Sequence, residues 1–159
     1  MLTPDDLQRF MESQGISGEL LFLKVPTPTV EAAAQALGTT PENIIKTVLF
    51  TIGEEHLLAI ASGTLPIDRR RIAAHFGVGR KRVKLADPKT VLEVTGYPVG
   101  TVPPFGHKHP SHTLMDPRVL KREVAYAGGG AHNALVRLNP TDILRVTQGT
   151  VVELIHSSI

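Results

Sequence analysis

The chain of 159 residues contains no cysteine, which excludes disulfides, thiolate metal sites, iron–sulfur clusters and cysteine nucleophiles together. Long apolar runs are missing too. The longest candidates, such as Ile44-Ile45 with Val48-Leu49-Phe50, are interrupted by Lys46 and fall short of the ~18 residues a membrane-spanning helix needs. The stretch MLTPDDLQRF at the amino terminus lacks the basic region and apolar core of a secretory signal, so the expectation is a soluble, cytoplasmic protein with no membrane partner. Also absent are the GxxxxGKS/T phosphate loop, the GxSxG elbow, the HExxH zinc helix and the GxGxxG dinucleotide turn; Gly77-Val78-Gly79 is followed by Arg80 rather than by a spacing that completes the last of these. The common nucleotide-hydrolysing and zinc-protease chemistries fall away with them.

One segment lacks acidic side chains. Residues 69–84 carry Arg69, Arg70, Arg71, Arg80, Lys81, Arg82 and Lys84 with no Asp or Glu, whereas residues 1–55 hold three basic and eight acidic side chains. The net charge of +2 conceals this asymmetry. A solvated helix face followed by a charged edge strand accounts for the basic run; an electrostatic footprint for phosphates accounts for it equally well, with Arg69, Arg70, Arg80, Lys81 and Arg82 as the contacts.

What is present reads as one domain spanning residues 1–159. A content of 42% hydrophobic and 20% charged residues is globular, and a chain of this length buries roughly 70% of the surface its unfolded form exposes. Five of the twelve prolines follow a capping residue, in Thr3-Pro4, Thr40-Pro41, Asp87-Pro88, Asp116-Pro117 and Asn139-Pro140. A side-chain oxygen at the cap accepts from an orphan amide, and proline at the first helical position loses no hydrogen bond. Helices are therefore expected near 4–14, 41–45, 88–95 and 140–146, and also over Val30–Leu37 and Arg69–Phe76, each stopped by glycine. Strands are expected over Glu19–Val25, Thr47–Ile52, His56–Ala61, Thr113–Met115, Glu123–Ala127, Ala134–Leu138 and Val151–Ile155, with Gly53-Glu54-Glu55 as a hairpin turn. The fold class is mixed α+β: one curved, mostly antiparallel, barrel-like mixed sheet surrounded by helices.

Three features could carry chemistry. Residues Gly96 to Pro110 contain seven glycines and prolines in fifteen positions, and a loop of that length without periodicity tends to be functional. Gly128-Gly129-Gly130 stands between two expected strands, where glycine permits positive φ and close approach of a ligand to backbone amides. Lys46 opens a strand with core-like neighbours, so its stem is partly buried and its ammonium emerges at a rim. His107, His109 and His112 cluster without a carboxylate or a zinc spacing, and neither a metal nor another cofactor is expected. His132 follows the glycine run and could orient a substrate.

The ordered set Asn43-Ile44-Ile45-Lys46-Thr47-Val48-Leu49-Phe50, Ala86-Asp87-Pro88, Thr95-Gly96-Tyr97-Pro98-Val99-Gly100 with Pro103, and Gly128-Gly129-Gly130 resembles the YbaK/ProX family of aminoacyl-tRNA deacylases, similar to the editing domain of bacterial prolyl-tRNA synthetases. The likeness runs over about residues 28–156. It implies the fold of that family and a hydrolase that clears mischarged tRNA in trans as a proofreading step, with tRNA(Pro) carrying alanine or cysteine as the expected substrate and prolyl-tRNA synthetase as a possible partner. By the resemblance, Lys46 is the lysine needed for activity, Gly100 and Pro103 form the GxxP element, and Gly129 and Gly130 belong to the glycine loop. Backbone amides at Gly100, Thr101, Gly129 and Gly130 are the expected oxyanion donors, and Pro103, Gly128, His132 and Ser62 the expected substrate contacts. The chain departs from the Cys-tRNA(Pro) deacylase branch in carrying Leu135 near an aspartate position, and Phe22 and Lys24 near a tyrosine position. The competing readings are a non-catalytic tRNA-binding module on the same fold and a structural interaction protein.

Overall fold

A computed structural model describes residues 1–155. The capping grammar of the sequence is visible in its helices: α1 (Pro4–Ser13), α2 (Val30–Leu37), α3 (Arg69–Phe76), α4 (Pro88–Thr95) and α5 (Pro140–Thr147). Thr29, Asp68, Asp87 and Asn139 accept from the amides of Ala32, Arg70, Thr90 and Thr141 at 2.8–3.0 Å. Helices α2, α3 and α4 stop at left-handed glycines, as such caps require. Helix α5 instead stops at Gln148, the one non-glycine residue with positive φ among the described residues. The expected helix at 41–45 is reduced to a 3-10 turn over Pro41–Asn43, because Ile45 already pairs in a strand. Asp116-Pro117 opens only a 3-10 turn, Pro117–Lys121.

The strands are β1 (Glu19–Phe22), β2 (Ile45–Ile52), β3 (Glu55–Ser62), β4 (Val83–Leu85), β5 (His112–Met115), β6 (Ala125–Gly128), β7 (Ala134–Leu138) and β8 (Thr150–Val151). They form two sheets rather than one barrel. The larger has the order β4-β2-β3-β5-β8, antiparallel around β2 and parallel from β3 to β8, and the smaller is the antiparallel β1-β7-β6. The sheets meet through one parallel bridge, Ile44 to Tyr126. The expected closure fails because β6 ends at Gly128, where its backbone tucks under Thr101 and Val102 instead of continuing along β2.

The basic run 69–84 resolves into the exposed face of α3, a 3-10 turn over Arg80–Arg82 and the edge strand β4 paired to Phe50–Ile52. The expected strand 151–155 is a ladder only over Thr150–Val151, with one isolated antiparallel bridge from Ile155 to Ile67. Beyond the ladder the amides of Leu154 and Ile155 donate to the carboxylate of Asp116, which is fully buried and also accepts from Arg118. β1 likewise stops three residues short of Val25, ahead of Pro26 and Pro28.

Cores form on both faces of β2. Leu49 packs with Leu58, Val91, Tyr97 and Val102 against α4, while Phe50 packs with Leu57, Ile72 and Leu114 against α3. The alternation of strand side chains thus gives Ile45, Thr47 and Leu49 one side, and Lys46, Val48 and Phe50 the other.

Candidate active site

A cleft of about 390 Å³ opens between α2, β2, the start of α4 and the loop that follows it, within the size range of small-ligand sites. Its walls are apolar, from Val30, Ala33, Ile45, Val91, Val102 and Leu135, and among the described residues no Asp, Glu or His lines it. Lys46 stands at its lip, half-buried, its Nζ donating to the carbonyl of Leu65. Burial lowers the pKa of this amine, and the nearby carboxylate of Glu31 partly opposes that shift.

Gly100 and Gly128 line the cleft with Lys46. Gly100 has φ 85°, a conformation that favours glycine, and its amide makes no backbone hydrogen bond among the described residues. Gly128 is required by contact rather than by dihedral: a Cβ there would sit 2.5 Å from the Val102 carbonyl oxygen and 2.8 Å from that of Thr101.

The other amides expected to serve an oxyanion are engaged within the chain. The Thr101 amide donates to the Pro98 carbonyl at 3.1 Å, that of Gly129 to Ala134 at 3.0 Å and that of Gly130 to Thr101 at 2.9 Å. The Gly130 bond ties the glycine run to the GxxP loop and the other two close the loop and the β6–β7 turn on themselves, so of the four amides only that of Gly100 has no partner among the described residues. Pro103 is buried behind that wall, its carbonyl accepting from His107 Nε2 at 2.6 Å. A carbonyl can only accept, so Nε2 carries the proton; burial lowers the pKa of this ring, and the Pro103 bond works the other way. His132 is exposed at the lip, within 3.9 Å of where a Gly100 Cβ would lie. Ser62 pairs with Ile45 at the end of β3 and lies outside the cleft wall.

His107, His109 and His112 do not converge. His107 is held on Pro103, His112 meets the ring of Phe76, and among the described residues no three His, Asp or Glu side chains are grouped as metal ligands.

Beside the cleft runs a second depression of about 760 Å³, lined by Arg69, Arg70, Arg80, Lys81 and Lys84 with Asp68 at its base. Arg70 is paired with Asp68 at 3.2 Å. Arg82 does not line the groove but lies toward the β2–β3 turn, near Gly53. The two depressions share a border. Pro66 and Lys84 belong to the groove, Leu85 belongs to the cleft, and Leu65, adjacent to Pro66, holds the Lys46 amine. Lys46 therefore stands where a basic surface passes into an apolar pocket.

The sequence profile of the aminoacyl-tRNA editing domain matches residues 24–146. The chain belongs to the aminoacyl-tRNA editing domain family. It is accordingly a hydrolase acting on mischarged tRNA. An Escherichia coli protein named multifunctional Ser/Thr-tRNA deacylase ProXp-y is 32% identical over 125 residues, covering 77% of this chain and 72% of that one. A Thermotoga neapolitana proline–tRNA ligase is 34% identical over 86 residues, 52% of this chain but 15% of the ligase. Among solved structures, one titled as a putative trans-editing enzyme for prolyl tRNA synthetase superposes with a TM-score of 0.89 at 29% identity, covering 99% of this chain and all of that one. The editing domain contains no helix, among the described residues, that is long and apolar enough to cross a membrane. The cleft residues that sequence reading passed over, Thr47 and the wall from α2 and α4, come from three separate segments; no local spacing announces them.

Proposed function

We propose that the protein is a trans-acting deacylase that hydrolyses the ester joining a small wrong amino acid to the 3′ end of a tRNA, with tRNA(Pro) as the first candidate. The observation that carries this reading is the position of Lys46 at the junction of an apolar cleft with a basic groove. The groove takes the phosphates of the acceptor end; the cleft takes the aminoacyl group; Lys46 holds the terminal nucleotide by charge as it passes between them. The names of the E. coli relative and of the trans-editing neighbour support the same chemistry.

Water attacks the ester carbonyl carbon, the carbonyl oxygen becomes an oxyanion, and the bond to the ribose oxygen then breaks, releasing the amino acid while the ribose oxygen takes up a proton. Gly100 N–H is placed to receive the developing charge, a donor of the kind worth ~3 kcal/mol in other acyl-transfer sites. No carboxylate or imidazole is among the described residues that line the cleft walls, and the water's proton is relayed through the substrate's own neighbouring ribose hydroxyl to the departing ribose oxygen. Selection by size follows from the same walls, since one methylene discriminates by only ~1–3 kcal/mol in a synthetase pocket and a second sieve must remove what slips through.

The test is amino-acid release from tRNA(Pro) charged with alanine, cysteine or serine, by wild type and Lys46→Ala, with Pro-tRNA(Pro) as control. Hydrolysis of a mischarged species that falls by about 100-fold or more in the variant is expected, the scale of a lost charge-stabilising group. No turnover across the panel with tRNA binding intact would make the protein a binding module instead.

A further inference from the structure

The cleft coincides with a gap beside β2. On the edge of β2 away from β3, β4 pairs only with Phe50–Ile52, and the Ala86 amide extends that contact by donating to the Leu49 carbonyl at 3.0 Å. At the other end of β2, where β3 holds the opposite edge through Ser62, β6 touches the strand by the single bridge from Tyr126 to Ile44. Between these two contacts the edge is open. In an antiparallel strand the main-chain groups of successive residues point to alternate edges. The Leu49 carbonyl points to the β4 side, and the Ile60 carbonyl, opposite Thr47, is turned away from β2 to the Asp116 amide at 2.9 Å. Thr47 therefore presents its N–H and C=O to the open edge, where no strand among the described residues pairs with it. Leu85 and Ala86, where β4 ends, and Gly128, where β6 ends, line the cleft together with Thr47, which puts that open edge in the cleft.

We infer that the aminoacyl group fills this gap as the residue missing opposite Thr47, its α-amino group donating to the Thr47 carbonyl and its ester carbonyl accepting from the Thr47 amide. The inference rests on the deacylase reading and deepens it. An aminoacyl ester carries a donor on one side of its α-carbon and a carbonyl on the other, as a peptide residue does, and two residues facing each other across an antiparallel ladder exchange both bonds. Unpaired edge groups are a ready template for such an addition. The α-amino group needs an acceptor; no carboxylate lines the cleft among the described residues, and the open Thr47 carbonyl supplies one. A carbonyl oxygen has two lone pairs, so that of the ester keeps one for the Gly100 amide. The main chain of β2 thus recognises what every aminoacyl-tRNA shares, and the apolar walls are left to sense the size of the side chain. Lys46 precedes Thr47 in the same strand, so the nucleotide and the acyl group are held by consecutive residues.

The experiment compares tRNA esters that differ only at the α-carbon: the amino acid released fastest from the panel above, its α-hydroxy analogue, and the acyl group with neither substituent (for alanine, lactyl and propionyl esters). Each single-turnover rate is divided by the uncatalysed rate of the same ester in the same buffer, because the amine itself activates the ester. Wild type is expected to accelerate the amine-bearing ester about tenfold or more beyond the unsubstituted one, the scale of a hydrogen bond to a charged group, with the hydroxyl ester between them. Replacing Val48 by its α-hydroxy acid turns the Thr47–Val48 amide into an ester and weakens the Thr47 carbonyl as an acceptor; that variant should lose the preference. The same replacement at Phe50 removes an equivalent ladder bond to β3 outside the gap and should keep it. Glu31→Gln should keep it too: Glu31, exposed in the first turn of α2, is the carboxylate whose charge reaches Lys46 and is the competing acceptor. Melting temperatures confirm folding, and if the Val48 variant does not fold, the wild-type comparison and Glu31→Gln decide. Equal acceleration of the three esters, a preference that survives in the folded Val48 variant, or one that disappears in Glu31→Gln overturns the assignment and leaves the deacylase reading intact. Acceleration of none of the esters overturns both.

Discussion

Replacing Gly128 by alanine tests whether the glycine run acts by close packing against the GxxP loop. The added Cβ would meet the Val102 carbonyl oxygen at 2.5 Å and the Thr101 carbonyl at 2.8 Å. An ordinary carbon–oxygen contact lies near ~3.4 Å, so the loop backbone must retreat by roughly 0.9 Å, the difference between that contact and the 2.5 Å separation. Backbone cannot swing aside as a side-chain tip can. Forced overpacking of this kind costs about 1–3 kcal/mol, which for a domain of this size lowers the melting temperature by roughly 2–4 °C per kcal/mol. The retreat also displaces Gly100, which precedes Thr101 and lines the cleft. Catalysis depends on donor placement to within ~0.5 Å, so deacylation should fall by about tenfold or more at temperatures where the variant is fully folded. Gly79→Ala is the control: its φ of −72° suits any residue and no atom lies within 4 Å of a Cβ there. It should leave stability unchanged or raise it by about 0.4–1 kcal/mol. Thermal melts and single-turnover release, run on both variants, decide the matter. A Gly128→Ala protein with wild-type melting temperature and wild-type rate would refute the claim that this contact sets the loop.

Two further outcomes follow from charge. Reversing Arg80 and Lys81 to glutamate should weaken tRNA binding without lowering the melting temperature, because both are exposed on the groove; the slope of log affinity against log salt should flatten by roughly 0.7 for each single-strand phosphate no longer neutralised, as read by filter binding across a salt series, and an unchanged slope would remove the groove from the tRNA path. His107 has a pKa held below the ordinary 6.5 by burial, so the unfolded chain binds more protons than the folded one as pH falls below about 6.5. Stability is therefore complete above that value and is lost on acidification toward the folded pKa; a urea-unfolding series from pH 7.5 to 5 should show this slope in wild type and a shallower one in His107→Gln.

The helices were legible in the sequence because capping is local. A side-chain oxygen before proline and a glycine at the end settle a helix within one turn, and α1 to α5 lie where these signals stand. Where the same signal preceded a short span, as at Thr40-Pro41, pairing of Ile45 with Ser62 overrode it. The strands were legible as segments but not as a sheet. Nothing in the spacing of 151–155 reveals that a buried carboxylate at Asp116 takes the amides of Leu154 and Ile155 and so ends the ladder, nor that β6 leaves β2 at Gly128 and keeps the sheets from closing.

Of the site, the sequence by itself determined the residue types with unusual backbone or charge: Lys46 in a core-like strand, the glycines and prolines of 96–110, the glycine run at 128–130 and the basic segment 69–84. Only the tertiary structure decided which of them face one another. It separated Gly100, whose amide has no partner among the described residues, from Thr101, Gly129 and Gly130, whose amides bond within the chain, and it put Pro103 behind the wall on His107. It also brought the groove up to Lys46 and left the edge of β2 open at Thr47 beside it. The physical reason is range: dihedral preference and local charge are properties of a few adjacent residues, whereas hydrogen-bond satisfaction and enclosure depend on segments up to a hundred residues apart meeting across two sheets.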